Sequence, residues 1–153
     1  MEKRIIHIGA DSAGYELKES LMAHLRELGY ECHDHGTYSK ESCHYPIFAE
    51  AVCREVQKAP DKTFGLLVCG TGIGMSMCAN KFKGIRAALC SDTFSAGMTR
   101  MHNDANVICM GARVIGPALA QDILDAFLSA EFEDGGRHRL RVDMMTEIEN
   151  KQK

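Results

Sequence analysis

The stretch Phe64-Gly-Leu-Leu-Val-Cys-Gly-Thr-Gly-Ile-Gly-Met-Ser-Met-Cys-Ala-Asn80 decides the fold of this 153-residue chain. It opens with an uncharged apolar run, Phe64 to Val68, which is typical of a strand buried on both faces of a sheet. Cys69 and three alternate glycines follow, and apolar residues then recur at helical spacing. The pattern predicts a strand that ends in a glycine-rich loop and continues directly into a helix.

The glycine-rich loop combines two features that catalysis requires. Its closely spaced backbone N–H groups, from Gly70 to Gly74, form a ready site for an anion. The Cys69 thiol stands at the mouth of the loop, where a base or nucleophile would lie beside fixed donors. Glycine turns also serve only to bring a helix close to a sheet, and buried cysteines are often inert. Taken alone, the stretch leaves both interpretations open.

The composition is that of an ordinary globular protein, with 45% hydrophobic and 25% charged residues. The length predicts a single domain over residues 1–153. A net charge of −3 argues against a nucleic-acid or anionic-membrane partner. No apolar run approaches the ~18 residues of a membrane span, and the first residues do not form a signal sequence. A cytoplasmic location is therefore expected.

The seven cysteines do not indicate a disulfide framework or a zinc ribbon. Their number is odd, and no pair has the Cys-x-x-Cys spacing. Cys90 and Cys109 lie within apolar runs, which predicts buried thiols in a reducing compartment. The seven histidines show no metal-ligand spacing, so no metal is expected.

Strand and helix patterns alternate five times along the chain. The predicted strands are residues 4–9, 30–34, 64–68, 85–90 and 107–110. The connections are long enough for parallel strands, so the sequence predicts an α/β fold: a single five-stranded parallel sheet sandwiched by helices, Rossmann-like. A last helix is predicted from Val142 to about Lys151, after a polar hinge. It has no strand partner, and it either packs on its own domain or reaches a partner subunit.

Polar residues follow the carboxyl ends of three predicted strands. Asp11 and Ser12 follow the first, Cys69 begins the loop after the third, and Arg113 follows the fifth. These ends share one edge of a parallel sheet, where α/β folds bind ligands. We expect the four residues to lie close together.

His102 and Asn103 precede the fifth strand, so they are expected at the opposite edge of their own subunit. They can join a site at the carboxyl edge only if they come from a neighbouring chain or if this chain forms a long loop that reaches that edge. The sequence thus points to a site that two chains share, if these two residues belong to it.

Eight motifs at these spacings make the chain resemble the type B ribose-5-phosphate isomerases, a family that includes the galactose-6-phosphate isomerase subunits. The similarity runs from Ile6 to about Glu149. The motifs are Gly9-x-Asp11, Leu17-Lys18, Cys69-Gly-Thr-Gly-Ile-Gly74, Ala79-Asn-Lys81, Gly84-Ile-Arg-Ala87, His102-Asn103-Asp104, Gly111-x-Arg113-Val and Gly136-Arg-His-x-x-Arg141. Each is weak by itself, and together they are highly specific.

The resemblance implies an aldose–ketose isomerase that acts on a phosphorylated sugar, ribose 5-phosphate or a relative with four to six carbons, without a cofactor. It implies that Cys69 moves a proton between C1 and C2 through an enediolate and that His102 opens the sugar ring. The enediolate oxygen would be stabilised by Thr71 and by the loop N–H groups of Gly70, Gly72, Ile73 and Gly74.

The remaining roles implied by the resemblance concern binding and assembly. Asp11, Ser12 and Asn103 would contact the sugar. Arg113, Arg137 and Arg141 would bind the phosphate, for which the planar guanidinium is well suited. The resemblance also implies a homodimer or tetramer in which each site is built from two chains. Without it, the arginine run would be more typical of a solvated helix start.

Two loops depart from the family pattern. The family usually has Asp-His after the first strand, where this chain has Asp11-Ser12, and Asp-Tyr-Pro where this chain has His44-Tyr45-Pro46. The departures are either neutral drift or a change of specificity. A carboxylate that accepts hydrogen bonds from sugar hydroxyls discriminates strongly between substrates, so His44 is a candidate specificity residue.

Several other functions are disfavoured. The glycine spacing is not that of a dinucleotide-binding loop, and no Gly-Lys-Ser/Thr sequence exists. A cysteine phosphatase loop would close with arginine, but the residue six positions after Cys69 is Met75. The remaining alternative is a non-catalytic sugar-phosphate-binding subunit of a hetero-oligomeric isomerase. The presence of Cys69, Thr71 and His102 argues against it.

Overall fold

Within residues 2–152, which a computed structural model describes, five parallel strands form the centre of the molecule. Their bounds are β1 (Ile5–Ala10), β2 (Cys32–Asp34), β3 (Thr63–Cys69), β4 (Ala87–Leu89) and β5 (Val107–Gly111). The order across the sheet is β2-β1-β3-β5-β4, and every neighbouring pair is parallel. The predicted five-stranded parallel α/β fold is confirmed.

Helices connect the strands. Their bounds are α1 (Tyr15–Glu27), α2 (Tyr45–Lys58), α3 (Ile73–Ala79), α4 (Thr93–Asn103), α5 (Pro117–Ser129) and α6 (Gly136–Asn150). Helices α2 and α5 each have a proline in the first turn, Pro46 and Pro117, where the missing N–H costs no hydrogen bond. No helix in the described part of the chain combines the length and apolar character needed to cross a bilayer.

The predicted start of the last helix at Val142 is wrong, because α6 begins at Gly136. Gly135 and Gly136 have φ angles of 120° and 53°, which side-chain-bearing residues avoid, so the hinge ends there. The arginine-rich segment that follows has good helix propensity and forms the first turns of α6. The predicted strands 30–34 and 85–90 were too long, since the sheet-edge strands β2 and β4 have three residues each.

Successive residues of β3 face opposite helical layers. Phe64, Leu66 and Val68 pack with the side chains of α1 and α5. Leu67 and Cys69 pack with α2 and α3 on the other face. All seven residues of β3 are buried, as the uncharged run predicts. Each fully buried aliphatic side chain contributes about 1.5–3 kcal/mol, so this central strand anchors both layers.

The topology places a crevice between the ends of β1 and β3. The chain leaves β1 through α1 on one face of the sheet and leaves β3 through α3 on the other. Ala10 pairs with Val68, and Cys69 pairs with Gly111, so the ends of β1, β3 and β5 are level. Ligands of open α/β sheets bind at such a switch point.

A histidine cluster lies on the α2 side of β1. The His7 ring is 6% exposed, and its Nδ1 lies 2.9 Å from His35 Nε2. The His33 ring is centred 5.0 Å from the His7 ring. Burial, with a smaller contribution from the charges of His35 and His33, lowers the pKa of His7 from 6.5 to about 4. His7 is therefore neutral in the folded protein at neutral pH.

We expect the free energy of unfolding to fall as the pH drops from 6.5 towards 4, because the unfolded chain binds a proton at His7 in this range and the folded chain does not. Between about pH 7.5 and about pH 5, His7→Gln should remove about 2 kcal/mol of the pH-dependent difference. Urea denaturation at the two pH values measures this difference. His44→Gln, at an exposed histidine outside the cluster, is the control and should keep the wild-type difference. An unchanged difference in His7→Gln would contradict the assignment.

Candidate active site

The loops after β1, β3 and β5 meet at the carboxyl edge of the sheet. The Asp11 N–H donates to the Val68 carbonyl at 3.2 Å, and the Arg113 N–H donates to the Gly70 carbonyl at 3.0 Å. These backbone bonds tie each flanking loop to the end of β3, where Cys69 lies. The structure thus brings together three elements that the sequence placed at one edge.

The Cys69 sulfur lies at the end of β3, beneath the glycine-rich loop. The residue is 5% exposed, and Sγ accepts the Gly72 N–H at 3.1 Å. A donor held at the sulfur stabilises negative charge there. The Arg113 side chain lies over the loop, since a Cβ added to Gly70 would be 3.6 Å from Arg113 Cδ. The sulfur is therefore buried beneath the loop, and the Arg113 side chain lies close to Gly70 of that loop.

Other cysteines are held as neutral thiols. Burial raises the pKa of Cys53 to about 12 and that of Cys90 to about 11. Complete burial raises the pKa of Cys109 well above its usual range. All seven cysteines are free. The predicted burial of Cys90 and Cys109 is confirmed, and the reactive form of these thiols is strongly disfavoured.

Two glycines allow the loop after β3 to lie against the end of β5. Gly72 has a φ of 79°, and a Cβ there would be 2.5 Å from Leu89 Cδ1. A Cβ on Gly111 would lie 2.6 Å from the carbonyl carbon of Thr71. Side chains at either position would push the two backbones apart. The glycines therefore fix the height of the loop above the sheet.

The N–H groups of the loop are partly engaged within it. The Gly72 N–H points at Cys69 Sγ, and the Ile73 N–H donates to Thr71 Oγ1 at 3.2 Å. The Thr71 and Ile73 side chains are exposed. An oxygen that enters the loop would share or replace these internal bonds. Two N–H groups of the loop are thus held in internal hydrogen bonds.

The start of α2 covers the other end of the loop. The Tyr45 ring lies against Gly74, where an added Cβ would be 2.6 Å from Tyr45 Cζ. His44 is the N-cap residue of α2 and is exposed, so it stands directly beside this contact. Ser12 is half-buried in the turn after β1. The sequence did not predict that Tyr45 lies at the site. Its packing against Gly74 shows that it does.

Asp11 has a structural partner at the start of α1. Its Oδ1 accepts the Gly14 N–H at 3.0 Å. Gly14 in turn lies against the Val68 carbonyl, which a Cβ would approach to 2.4 Å. The carboxylate is therefore held at the crevice between β1 and β3 by backbone contacts on both sides.

A second polar group lies where α4 ends and α6 begins. The His102 and His138 rings are stacked, with centroids 4.1 Å apart and planes 4° apart. Glu133 Oε2 lies 3.8 Å from His102 Nε2 and 3.5 Å from His138 Nε2. Arg137 and Arg141 are one turn apart on α6, so they share a side of the helix, and both are exposed. Sequence reasoning assigned no role to His138 or Glu133.

The three arginines that the resemblance assigns to phosphate have no ion-pair partner within residues 2–152. They are Arg113, Arg137 and Arg141. Four other arginines do pair with carboxylates: Arg54, Arg86, Arg100 and Arg139. An exposed guanidinium without a carboxylate partner retains its full capacity to bind an anion.

One chain does not bring the two polar groups together. His102 and Asn103 end α4 at the amino edge of the sheet, whereas Cys69 pairs with the last residue of β5 at the carboxyl edge. The five residues of β5 alone separate the edges by about 13 Å. The α6 helix stays at the amino edge, where the Glu149 carboxylate accepts the Gly84 N–H at 3.0 and 3.1 Å. In one chain, His102 and Cys69 therefore lie at opposite edges of the sheet, as predicted.

A cleft of about 960 Å³ lies between α6 and the segment 80–87. Asn103 lines it, but Cys69, Arg113 and His102 do not. The cleft is therefore separate from the two groups described above, and its size alone does not make it the site.

Comparison with known proteins identifies the family of this chain. A family model described as Ribose/Galactose Isomerase matches residues 6–145. The chain belongs to this family. The ribose/galactose isomerase family is thus the one that the eight sequence motifs indicated.

Individual relatives support the same assignment. "Ribose-5-phosphate isomerase B" of Escherichia coli (strain K12) is 47% identical over 95% of this chain and 97% of that protein. "D-erythrulose-4-phosphate isomerase" of Pectobacterium atrosepticum is 46% identical over 86% of each chain. The solved structure of Clostridium thermocellum ribose-5-phosphate isomerase B has a TM-score of 0.92 and 47% identity, and covers 95% of this chain and 97% of that one. Two relatives of similar identity are therefore named for sugar phosphates of different length.

Proposed function

We propose that this chain is an aldose–ketose isomerase of phosphorylated sugars, acting in the cytoplasm as a single domain over residues 1–153. The observation that carries the proposal is the placement of Cys69 Sγ: it accepts a loop N–H at 3.1 Å and lies beneath the loop whose Gly70 the Arg113 side chain approaches. A base, oriented donors and an anion-binding side chain are the three parts that proton transfer next to a carbonyl requires.

In the proposed reaction the Cys69 thiolate takes the proton from C2 of the open-chain aldose and returns it to C1. The hydroxyl proton moves from O2 to O1, so aldose and ketose differ only in the positions of two hydrogens. The loop N–H groups and the Thr71 hydroxyl hold the enediolate oxygen. His102 transfers protons when the sugar ring opens, and Asp11, Ser12 and Asn103 contact hydroxyls. The three unpaired arginines bind the phosphate.

Cys69→Ala is expected to lower kcat by about a thousandfold, the usual contribution of a positioned base. Conversion of ribose 5-phosphate and of four- and six-carbon sugar phosphates by the purified chain measures the change, with circular dichroism as the check on folding. Cys78→Ala, at a half-buried thiol in α3, is the matched control and should keep its activity. Full turnover in a folded Cys69→Ala protein would exclude the proposed base. A wild-type chain that binds sugar phosphates but never turns them over alone would be the non-catalytic subunit.

We further propose that each site is shared between two chains of a homodimer. The support is the separation of the two polar groups in one chain, with Cys69 at one edge of the sheet and His102 at the other. In a two-fold dimer, any contact between the carboxyl edge of one chain and the amino edge of its partner occurs twice, because the contacts are reciprocal. Two equivalent sites result.

Mixing Cys69→Ala with His102→Gln chains should restore activity. Half of randomly mixed dimers contain both chains, and each mixed dimer has one site with Cys69 and His102 intact, so the activity should reach about a quarter of the wild-type value. The assay is turnover after the two inactive proteins are co-refolded or co-expressed. Mixed chains as inactive as their parents would place both residues in a site within one chain.

We also propose that Ser12 and His44 shift the substrate preference away from ribose 5-phosphate. Both stand beside the loop, where a histidine and a carboxylate are usual in the family. The relative named for D-erythrulose 4-phosphate, at 46% identity, supports a shorter substrate as one alternative. A lost carboxylate leaves a sugar hydroxyl unpaired and so changes which hydroxyl pattern binds best.

The double variant Ser12→His with His44→Asp should raise kcat/KM for ribose 5-phosphate relative to four- and six-carbon substrates, by about tenfold. A panel of phosphorylated aldoses and ketoses gives the ratio for both proteins. High wild-type activity on ribose 5-phosphate, with no gain in the variant, would reject the shift and leave the two departures as drift.

A further inference from the structure

Three potential metal ligands converge at the start of α6. One ring nitrogen each of His102 and His138 and a carboxylate oxygen of Glu133 all lie within 4.8 Å of one another. The three residues come from α4, from the segment before α6 and from α6 itself, which explains why no sequence spacing indicated them. Two imidazoles and one carboxylate are a ligand set that zinc uses when it keeps an open position.

The distances are close to those of a tetrahedral ion. With metal–ligand bonds of about 2.0–2.1 Å, ligand atoms of a tetrahedron lie about 3.3 Å apart. Glu133 Oε2 is already 3.5 Å from His138 Nε2 and 3.8 Å from His102 Nε2. Because the two rings are parallel, at least one must rotate before both ring nitrogens can point at one ion, and the partly exposed His102 and Glu133 side chains have room for this movement.

Hydrogen bonds fix the backbone of Glu133 beside His102 before any ion binds. The Glu133 N–H donates to the Met101 carbonyl at 2.9 Å, directly before His102 in the chain. The next residue, Asp134, accepts Arg139 Nε at 2.8 Å and so ties the segment to the first turn of α6. Preorganised ligands lose less conformational entropy on binding.

We propose that His102, Glu133 and His138 bind a borderline divalent ion, Zn²⁺ by preference, and that this ion reversibly inhibits the enzyme. Imidazole and carboxylate ligands suit zinc better than they suit calcium or magnesium. Inhibition rests on the proposed function, since an ion bound to His102 Nε2 removes the group assigned to ring opening. The binding itself does not depend on that function.

Charges around the cluster act in two directions. Arg137 and Arg141 repel a cation, and Glu133 opposes them with one negative charge. A phosphate on the two arginines would remove the repulsion, so zinc should bind more tightly when phosphate is present.

The test uses the full chain without a histidine tag, titrated with Co²⁺ and followed by absorption, with Zn²⁺ as competitor. Wild type should bind one Co²⁺ per chain without a thiolate charge-transfer band. Glu133→Gln and His138→Gln should weaken binding by at least about tenfold, the minimum seen when even an outer partner is lost. His24→Gln is the matched control, because His24 also faces a carboxylate, Asp125, at 2.7 Å but has no third ligand there among residues 2–152.

The same proteins are then assayed for isomerase activity with and without Zn²⁺. Wild type should be inhibited and recover on addition of a chelator, whereas Glu133→Gln should be active and resistant. If Glu133→Gln loses cobalt binding but the wild-type chain shows no isomerase turnover, the metal site is supported and the proposed function is rejected. Turnover together with cobalt binding that Glu133→Gln does not change would reject the metal site. Binding lost instead in His35→Gln would move the site to the cluster on β1, and a thiolate band would move it to Cys69; both outcomes overturn the proposal.

Discussion

The contact between the glycine loop after β3 and the end of β5 is the constraint on which the proposed site depends. Gly111 lies where a Cβ would meet the Thr71 backbone at 2.6 Å, and Gly72 faces Met110 in the same way. This approach lets the Gly72 N–H reach Cys69 Sγ. Each glycine costs about 0.5–1 kcal/mol in chain entropy. The fully buried β3 offsets that cost, because both helical layers pack on it.

The direction of the strands imposes a second constraint. In a parallel sheet all residues that follow strands lie at one edge, and all residues that precede them lie at the other. His102 and Asn103 come before β5, and Arg137 and Arg141 begin a helix that crosses the same amino edge. No rearrangement of loops as short as these brings them to Cys69 in one chain. In the proposed dimer, association therefore completes the site and does more than stabilise the fold.

The sequence predicted those features that depend on burial and strand direction. The run from Phe64 to Val68 identified β3, and the order of strands and loops placed Asp11, Cys69 and Arg113 at one edge. It did not predict where α6 begins, because the Gly135-Gly136 pair and the charged residues after it look like a hinge until their backbone angles are known. It also missed the contacts of Tyr45, Glu133 and His138. Those contacts arise only when separate elements pack, and no local pattern encodes them.

The two polar groups pose opposite problems of charge. At the carboxyl edge, the proposed reaction requires partial positive charge beside an oxygen, and the loop N–H groups and Arg113 are the groups proposed to supply it. At the amino edge, the proposed function requires imidazole and guanidinium groups that remain free to contact a sugar phosphate, and Arg137 and Arg141 have no ion-pair partner within residues 2–152. An imidazole pair left free in this way becomes a ligand set as soon as one carboxylate stands beside it, as Glu133 does. Sensitivity to zinc is then a direct consequence of keeping His102 available for its proposed task.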